Sequence, residues 1–106
     1  MNLKEQHIVA LIKSKIYQKN PDADVILFGS HARGTATEDS DWDILILLNT
    51  ASVSRKIEQE YRHELFDIEL ETGEPISTFV YSKTIWESKL AMTPLYSNIA
   101  KEGIKI

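Results

Sequence analysis

Residues 28–48 read FGSHARGTATEDSDWDILILL. A glycine-serine step follows one apolar run, and the carboxylates of Glu38, Asp39, Asp41 and Asp43 crowd together ahead of a second apolar run. Side chains alternate along a strand, so Asp41, Asp43, Leu45 and Leu47 share one side, and Trp42, Ile44, Ile46 and Leu48 the other. Both sides are apolar beyond Asp43. Such a strand belongs in the middle of a sheet, covered on at least one face, with its first residues emerging at a rim.

Like charges this close repel, and a cation relieves them. Residues two apart on a strand point the same way at about 6–7 Å between α-carbons, so the carboxylates of Asp41 and Asp43 can converge on one hard cation or on two bridged ones. Magnesium accepts a few carboxylate oxygens, keeps waters and completes its shell from substrate phosphates. A pair of such ions roughly 3.5–4 Å apart stabilises both the attacking and the leaving oxygen of an in-line displacement. The Gly29-Ser30 step supplies the complement: glycine lets the chain pass close to an anion, and backbone N–H groups and a hydroxyl can be aimed at it. Arg33 can pair with a phosphate or with one of the nearby carboxylates. Taken singly, each piece is ordinary; Ser40-Asp41 alone is an Asx turn or cap, and an acidic strand edge is usually solvated. Their order within one short stretch is what points to a phosphate–metal–carboxylate site.

Outward from this stretch, Asn2 and Glu5 form a capping box for a first helix whose Ile8, Ile12 and Ile16 repeat at four-residue steps and which stops near Asn20-Pro21. Val25–Phe28 is a short buried strand. Ser52–Leu65 carries Val53, Ile57, Tyr61 and Leu65 on one helical face. Phe66–Leu70 is a third strand candidate, and Ile76–Tyr81 a fourth, joined by a turn at Gly73-Glu74-Pro75 as antiparallel neighbours. A helix follows from about Ser82 to Ala91, and Thr93-Pro94 caps a last one running through Leu95, Ile99 and Lys101 to Gly103. Tyr61, Phe79, Tyr81, Trp86 and Tyr96 read as core or interface aromatics. The expected architecture is a single α+β domain over residues 1–106, with a small mixed sheet of three or four strands packed against helices.

Composition narrows the class. The chain has 106 residues, 42% of them apolar, and no cysteine, so disulfide and thiolate chemistry are excluded. Twelve Lys and Arg against sixteen Asp and Glu leave a formal charge of −4, which argues against broad nucleic-acid binding. With no long apolar run and no signal-peptide core, no membrane association is expected, and the expected location is cytoplasmic. His7 and His63 lack spaced partners for zinc, and His31 reads as solvated or phosphate-neighbouring, not as a base.

Gly29-Ser30-His31-Ala32-Arg33-Gly34 followed by Ser40-Asp41-Trp42-Asp43 and an apolar strand resembles the signature of the minimal nucleotidyltransferases of the DNA polymerase β-like superfamily. The resemblance implies the nucleotidyltransferase fold and transfer of a nucleoside monophosphate, with ATP as the donor, to an acceptor hydroxyl. It implies two Mg2+ ions held by Asp41 and Asp43, with Gly29, Ser30, Arg33 and Ser40 around the nucleotide. A third carboxylate from a neighbouring strand would complete the site; Asp67 is preferred because Asp67-Ile68 fits the family's pattern, with Glu69 on the same strand face as the alternative. Trp42 departs from the small aliphatic residue usual between the two acids, but points to the opposite face. The family includes small standalone proteins paired with a helical HEPN-type toxin, in which AMP is placed on a toxin tyrosine. With no room here for an acceptor-binding domain, such a partner, another macromolecular acceptor or an oligomer is implied. The rival expectation is a non-catalytic binding module that keeps the fold. The closing TPLYSNIAKEGIKI also resembles the end of similar proteins; Leu95, Tyr96 and Ile99 either pack on their own sheet, the preferred expectation for a domain of this size, or face a partner.

Overall fold

The computed structural model describes residues 1–106. Helix α1 spans Leu3–Lys19 and begins with the expected capping box: the Glu5 N–H donates to Asn2 Oδ1 at 2.8 Å, and the Asn2 N–H to Glu5 Oε1 at 3.3 Å. Its Ile8, Ile12 and Ile16 are buried. Strand β1 covers Asp24–Phe28, and a four-residue helix α2, Ser30–Arg33, follows it. Strand β2 is Trp42–Leu48, and helix α3 is Arg55–Thr72, capped by Ser54, whose Oγ accepts from the Ile57 N–H. Strand β3 is Ile76–Ser82, helices α4 and α5 are Lys83–Glu87 and Pro94–Glu102, and a two-residue strand β4, Ile104–Lys105, ends the order.

The four strands form one mixed sheet in the order β3-β2-β1-β4. As its alternation demands, β2 is interior and buried on both sides. Trp42, Ile44, Ile46 and Leu48 face α1 and α3, in a core shared with Val25, Leu27, Tyr61, Leu65 and Ile68. Leu45 and Leu47 face the other way, with Phe28, Trp86 and Ile99. Tyr81 and Tyr96 flank Trp86 with ring centroids 5.5 and 5.3 Å away, and Leu95 and Tyr96 pack on this second core. The chain's last helix thus closes the sheet's second face.

Two expectations are corrected. Phe66–Leu70 is not a strand; it is the last part of α3. Phe66, Ile68 and Leu70 alternate with acids and mimic a period of two. Tyr61, Leu65 and Ile68, however, extend the helical spacing of the preceding residues, and the helix buries Ile68 completely while leaving Phe66 and Leu70 exposed. The second correction follows from the first. With α3 as a crossover, β3 returns beside β2 in parallel, pairing Trp42 with Ile76 and Asp43 with Ser77, and is not the arm of an antiparallel hairpin. The fourth helix is also shorter than expected, closing at Glu87. No helix is long and apolar enough to cross a membrane.

Helical burial of residue 68 and exposure of residue 70 separate two variants. Ile68→Ala is expected to cost about 2–5 kcal/mol, and Leu70→Ala no more than about 0.5 kcal/mol, in urea unfolding; comparable losses would indicate the strand instead.

At the far end of β1, Asp24 accepts from Lys105 and Lys83, each at 3.0 Å, and these bonds hold its carboxyl below the usual carboxylate range. A depressed acid stabilises the fold above the unfolded carboxyl's pKa, and the contribution disappears as pH falls through the lower folded value. Asp24→Asn is therefore expected to lower the thermal midpoint near neutral pH, with the difference from wild type closing below about pH 4.

Candidate active site

The site forms where β1 ends and β2 begins. These strands are antiparallel, with Phe28 opposite Asp43, so the turn leaving β1 meets the acids entering β2. Gly29 has φ +76 and caps α2, a conformation that glycine adopts without the steric cost borne by other residues. The absence of a side chain is required twice over, because a β-carbon there would collide with Asp43 Oδ2. The Asp43 carboxylate therefore lies against the Gly29 backbone, beside Ser30.

Asp41 is exposed and Asp43 half-buried. Burial, reinforced by the neighbouring negative charge of Asp41, pushes the Asp43 carboxyl above its ordinary value. Asp41 Oδ2 accepts a hydrogen bond from Ser77 Oγ at 3.1 Å. Neither acid takes part in any ion pair of the molecule, although Arg33 is near enough for its charge to favour ionised Asp43. The structure thus presents two adjacent carboxylates, one partly desolvated, without a basic side chain bound to either.

The other residues picked from the sequence distribute unevenly. Arg33 points its guanidinium at Glu102, with Nη1 donating to Oε2 at 2.8 Å, and the Gly29 N–H donates to Oε1 of the same carboxylate at 3.3 Å. The Gly29 N–H is accordingly not open to an external anion. Ser40 closes the loop ahead of the acids, its Oγ accepting from the Thr37 N–H at 2.8 Å. Asp67 and Glu69 are not brought to Asp41 and Asp43: no three acids or histidines of the chain converge in a metal-holding group. Asp67 lies on α3 at 3.8 Å from Lys15, and Glu69 accepts the Ile76 N–H at the entry to β3. The helix that replaced the expected strand is the reason. The strand that does neighbour β2 carries Ser77 opposite Asp43, so a hydroxyl stands where a third acid was expected.

His31 is not solvated. The residue is 8% exposed, and its ring stacks on Trp42 at 3.7 Å between centroids with 8° between planes and meets Glu5 Oε2 through Nδ1 at 3.1 Å. It anchors α2 to α1 underneath the acids; the bond from His31 is the main reason the Glu5 carboxyl is held below its ordinary value. Glu102 and Ser77 were missed from sequence altogether. Neither has a local signal, since each reaches the site from an element distant along the chain.

Matched against known families, residues 9–106 fit the model of the nucleotidyltransferase domain. The chain belongs to that family. No curated protein matches it. Among solved structures, a toxin–antitoxin crystallised with AMP-PNP superposes with a TM-score of 0.62 at 21% identity, covering 97% of this chain and 72% of that one. Two mutants of the toxin–antitoxin MntA–HpeT give TM-scores of 0.60 and 0.61 at 18% and 21% identity, each covering 99% of this chain and 72% of the other. At these identities the likeness is one of fold, the mixed sheet with its covering helices.

A raised acid penalises the folded state wherever it is charged: the penalty is full above the folded pKa and absent below the unfolded one. With chelator present, Asp43→Asn is expected to raise the thermal midpoint near neutral pH, and the gain should fade below about pH 4. A midpoint that falls at neutral pH would show that Asp43 has a stabilising partner.

Proposed function

We propose that this nucleotidyltransferase domain transfers AMP from ATP to a protein hydroxyl in a magnesium-dependent reaction, and that it acts as the antitoxin of a toxin–antitoxin pair by modifying a tyrosine of a helical HEPN-type partner. The observation that carries the chemistry is the pair Asp41 and Asp43, set against the Gly29-Ser30 turn with no basic side chain bound to either acid. The description of the similar structures as toxin–antitoxins, one of them with AMP-PNP, supports the setting and the nucleotide.

The donor set fits magnesium. Two carboxylates, one raised by burial and by its neighbour's charge, gain most from a hard cation that completes its shell with water and phosphate oxygens. Bound magnesium supplies Lewis-acid activation of the acceptor oxygen and neutralisation of the departing pyrophosphate. The residues of this chain orient and bind. Asp41 and Asp43 hold the metal, and Ser77 fixes the rotation of the Asp41 carboxylate through its hydroxyl. Ser30 offers its hydroxyl and N–H to the triphosphate beside the acids. Arg33 retains donors beyond the one given to Glu102, and these can meet a phosphate oxygen from its exposed side. Catalysis of this kind is mostly positional and electrostatic.

Ser77 in place of a third acid favours a second reading, a module that binds nucleotide and partner without turnover. One experiment separates the two. Labelled ATP with magnesium and a purified toxin-type partner is expected to leave label on the partner, at a tyrosine by mass spectrometry, and Asp41→Asn or Asp43→Asn should reduce transfer at least about 100-fold. Magnesium-dependent ATP binding, measured by calorimetry, without labelling would favour the binding module; transfer undiminished in both variants would refute the metal assignment.

A further inference from the structure

The acidic pair has a natural cationic neighbour that does not occupy it. Arg33 closes the four-residue helix capped by Gly29, whose backbone lies against the Asp43 carboxylate, and guanidinium–carboxylate pairing is strong and frequently bidentate. An arginine seated on Asp41 and Asp43 would neutralise them in place of a metal ion. In the structure that arginine is held elsewhere, by Glu102 at the end of α5.

Glu102 divides its carboxylate between two tasks. Oε2 takes the Arg33 guanidinium at 2.8 Å, and Oε1 takes the Gly29 N–H at 3.3 Å. The Arg33 bond is the main reason the Glu102 carboxyl is held below its ordinary value, so the acid stays ionised at neutral pH. Its position is determined by the chain around it. Gly103 follows directly, where a β-carbon would strike the Ile99 carbonyl oxygen and the Ile26 side chain, so the chain turns tightly off α5. It then pairs as β4 along β1, with Ile104 opposite Leu27 and Lys105 opposite Ile26. The Ile106 N–H donates to the Val25 carbonyl at 2.9 Å, and Tyr17 Oη to the Ile106 carbonyl at 2.9 Å. Glu102 is thus delivered to the mouth of the site by an anchored segment.

We infer that Glu102 is a positioning residue for the metal-binding acids: it draws Arg33 away from Asp41 and Asp43 and pins the Gly29 backbone against which the Asp43 carboxylate rests. This rests on the reading of Asp41 and Asp43 as the metal ligands. Glu102 bonds to neither acid and acts on them through Arg33 and Gly29. It keeps the acids available to an external cation.

Glu102→Gln tests the arginine-holding task with little change in shape, because the amide carries no charge and has one acceptor oxygen in place of two, so it cannot hold both the Gly29 N–H and the Arg33 guanidinium. Binding of Mn2+, used as the probe ion without nucleotide, is measured by calorimetry on wild type, Glu102→Gln and the double variant Glu102→Gln/Arg33→Gln, with circular dichroism confirming that each is folded. The single variant is expected to bind Mn2+ about tenfold more weakly, and the double variant to recover most of that loss because the competing cation is gone. A residue that merely anchored α5 would give no recovery on losing its partner as well. Equal Mn2+ affinity in wild type and Glu102→Gln, or a double variant no better than the single, overturns the inference. Failure of wild type itself to bind Mn2+ refutes instead the assignment of Asp41 and Asp43, so the two failures are distinguishable.

Discussion

The contact on which the site depends is the approach of the Asp43 carboxylate to the backbone of Gly29. Only a residue without a β-carbon leaves room for it, and that residue must also take positive φ to start the turn into α2. The contact exists because β1 and β2 are antiparallel in a register that sets Phe28 opposite Asp43. That register is enforced by burial on both faces of β2. A slip by one residue would turn Asp43 into the core beneath, where Trp42 and Ile44 are now buried, and bring Trp42 to the rim. The hydrophobic strand and the acids at its mouth are therefore one device: the apolar run supplies the force that holds two mutually repelling charges in place.

Around that contact, three distant segments converge. Trp42, on the opposite side of the strand from the acids, stacks on His31, which reaches Glu5 on α1. Ser77 arrives on the parallel neighbour β3 and bonds to Asp41. Glu102 arrives from α5 and joins Gly29 to Arg33. Each is a polar group drawn from outside the glycine-to-aspartate stretch, and together they settle the rotation, spacing and electrostatic company of the two acids. The nucleotidyltransferase signature supplies the charges, and the rest of the domain determines which groups are left unpaired.

Much of this was legible in the sequence. The capping box at Asn2 and Glu5, the isoleucine stripe of α1, the two-sided burial of β2 and the packing of Leu95, Tyr96 and Ile99 all follow from periodicity and capping chemistry, which act over a few residues. The glycine-serine turn and the Asp41–Asp43 pair were equally visible, because the atoms that meet belong to residues close in the chain or to strands whose alternation is plain. Phe66–Leu70 was not. Its alternation of apolar and acidic residues satisfied a strand, while a longer helical period running from Ile57 through Ile68 satisfied α3 better, and only packing against α1 and the sheet decides between two local patterns that are both present.

By itself, then, the sequence determined the fold class, the central strand and the pair of acids with their glycine, since these rest on local geometry and on the separation of apolar from charged residues. The tertiary structure alone decided that β3 runs parallel, that Ser77 and not Asp67 stands beside the acids, that His31 is buried under them, and that Arg33 is held by Glu102. Those outcomes depend on which segments meet across the sheet. A contact between residues 33 and 102 has no periodicity to announce it; it forms because burying α5 and pairing β4 with β1 carry the end of the chain to the mouth of the site.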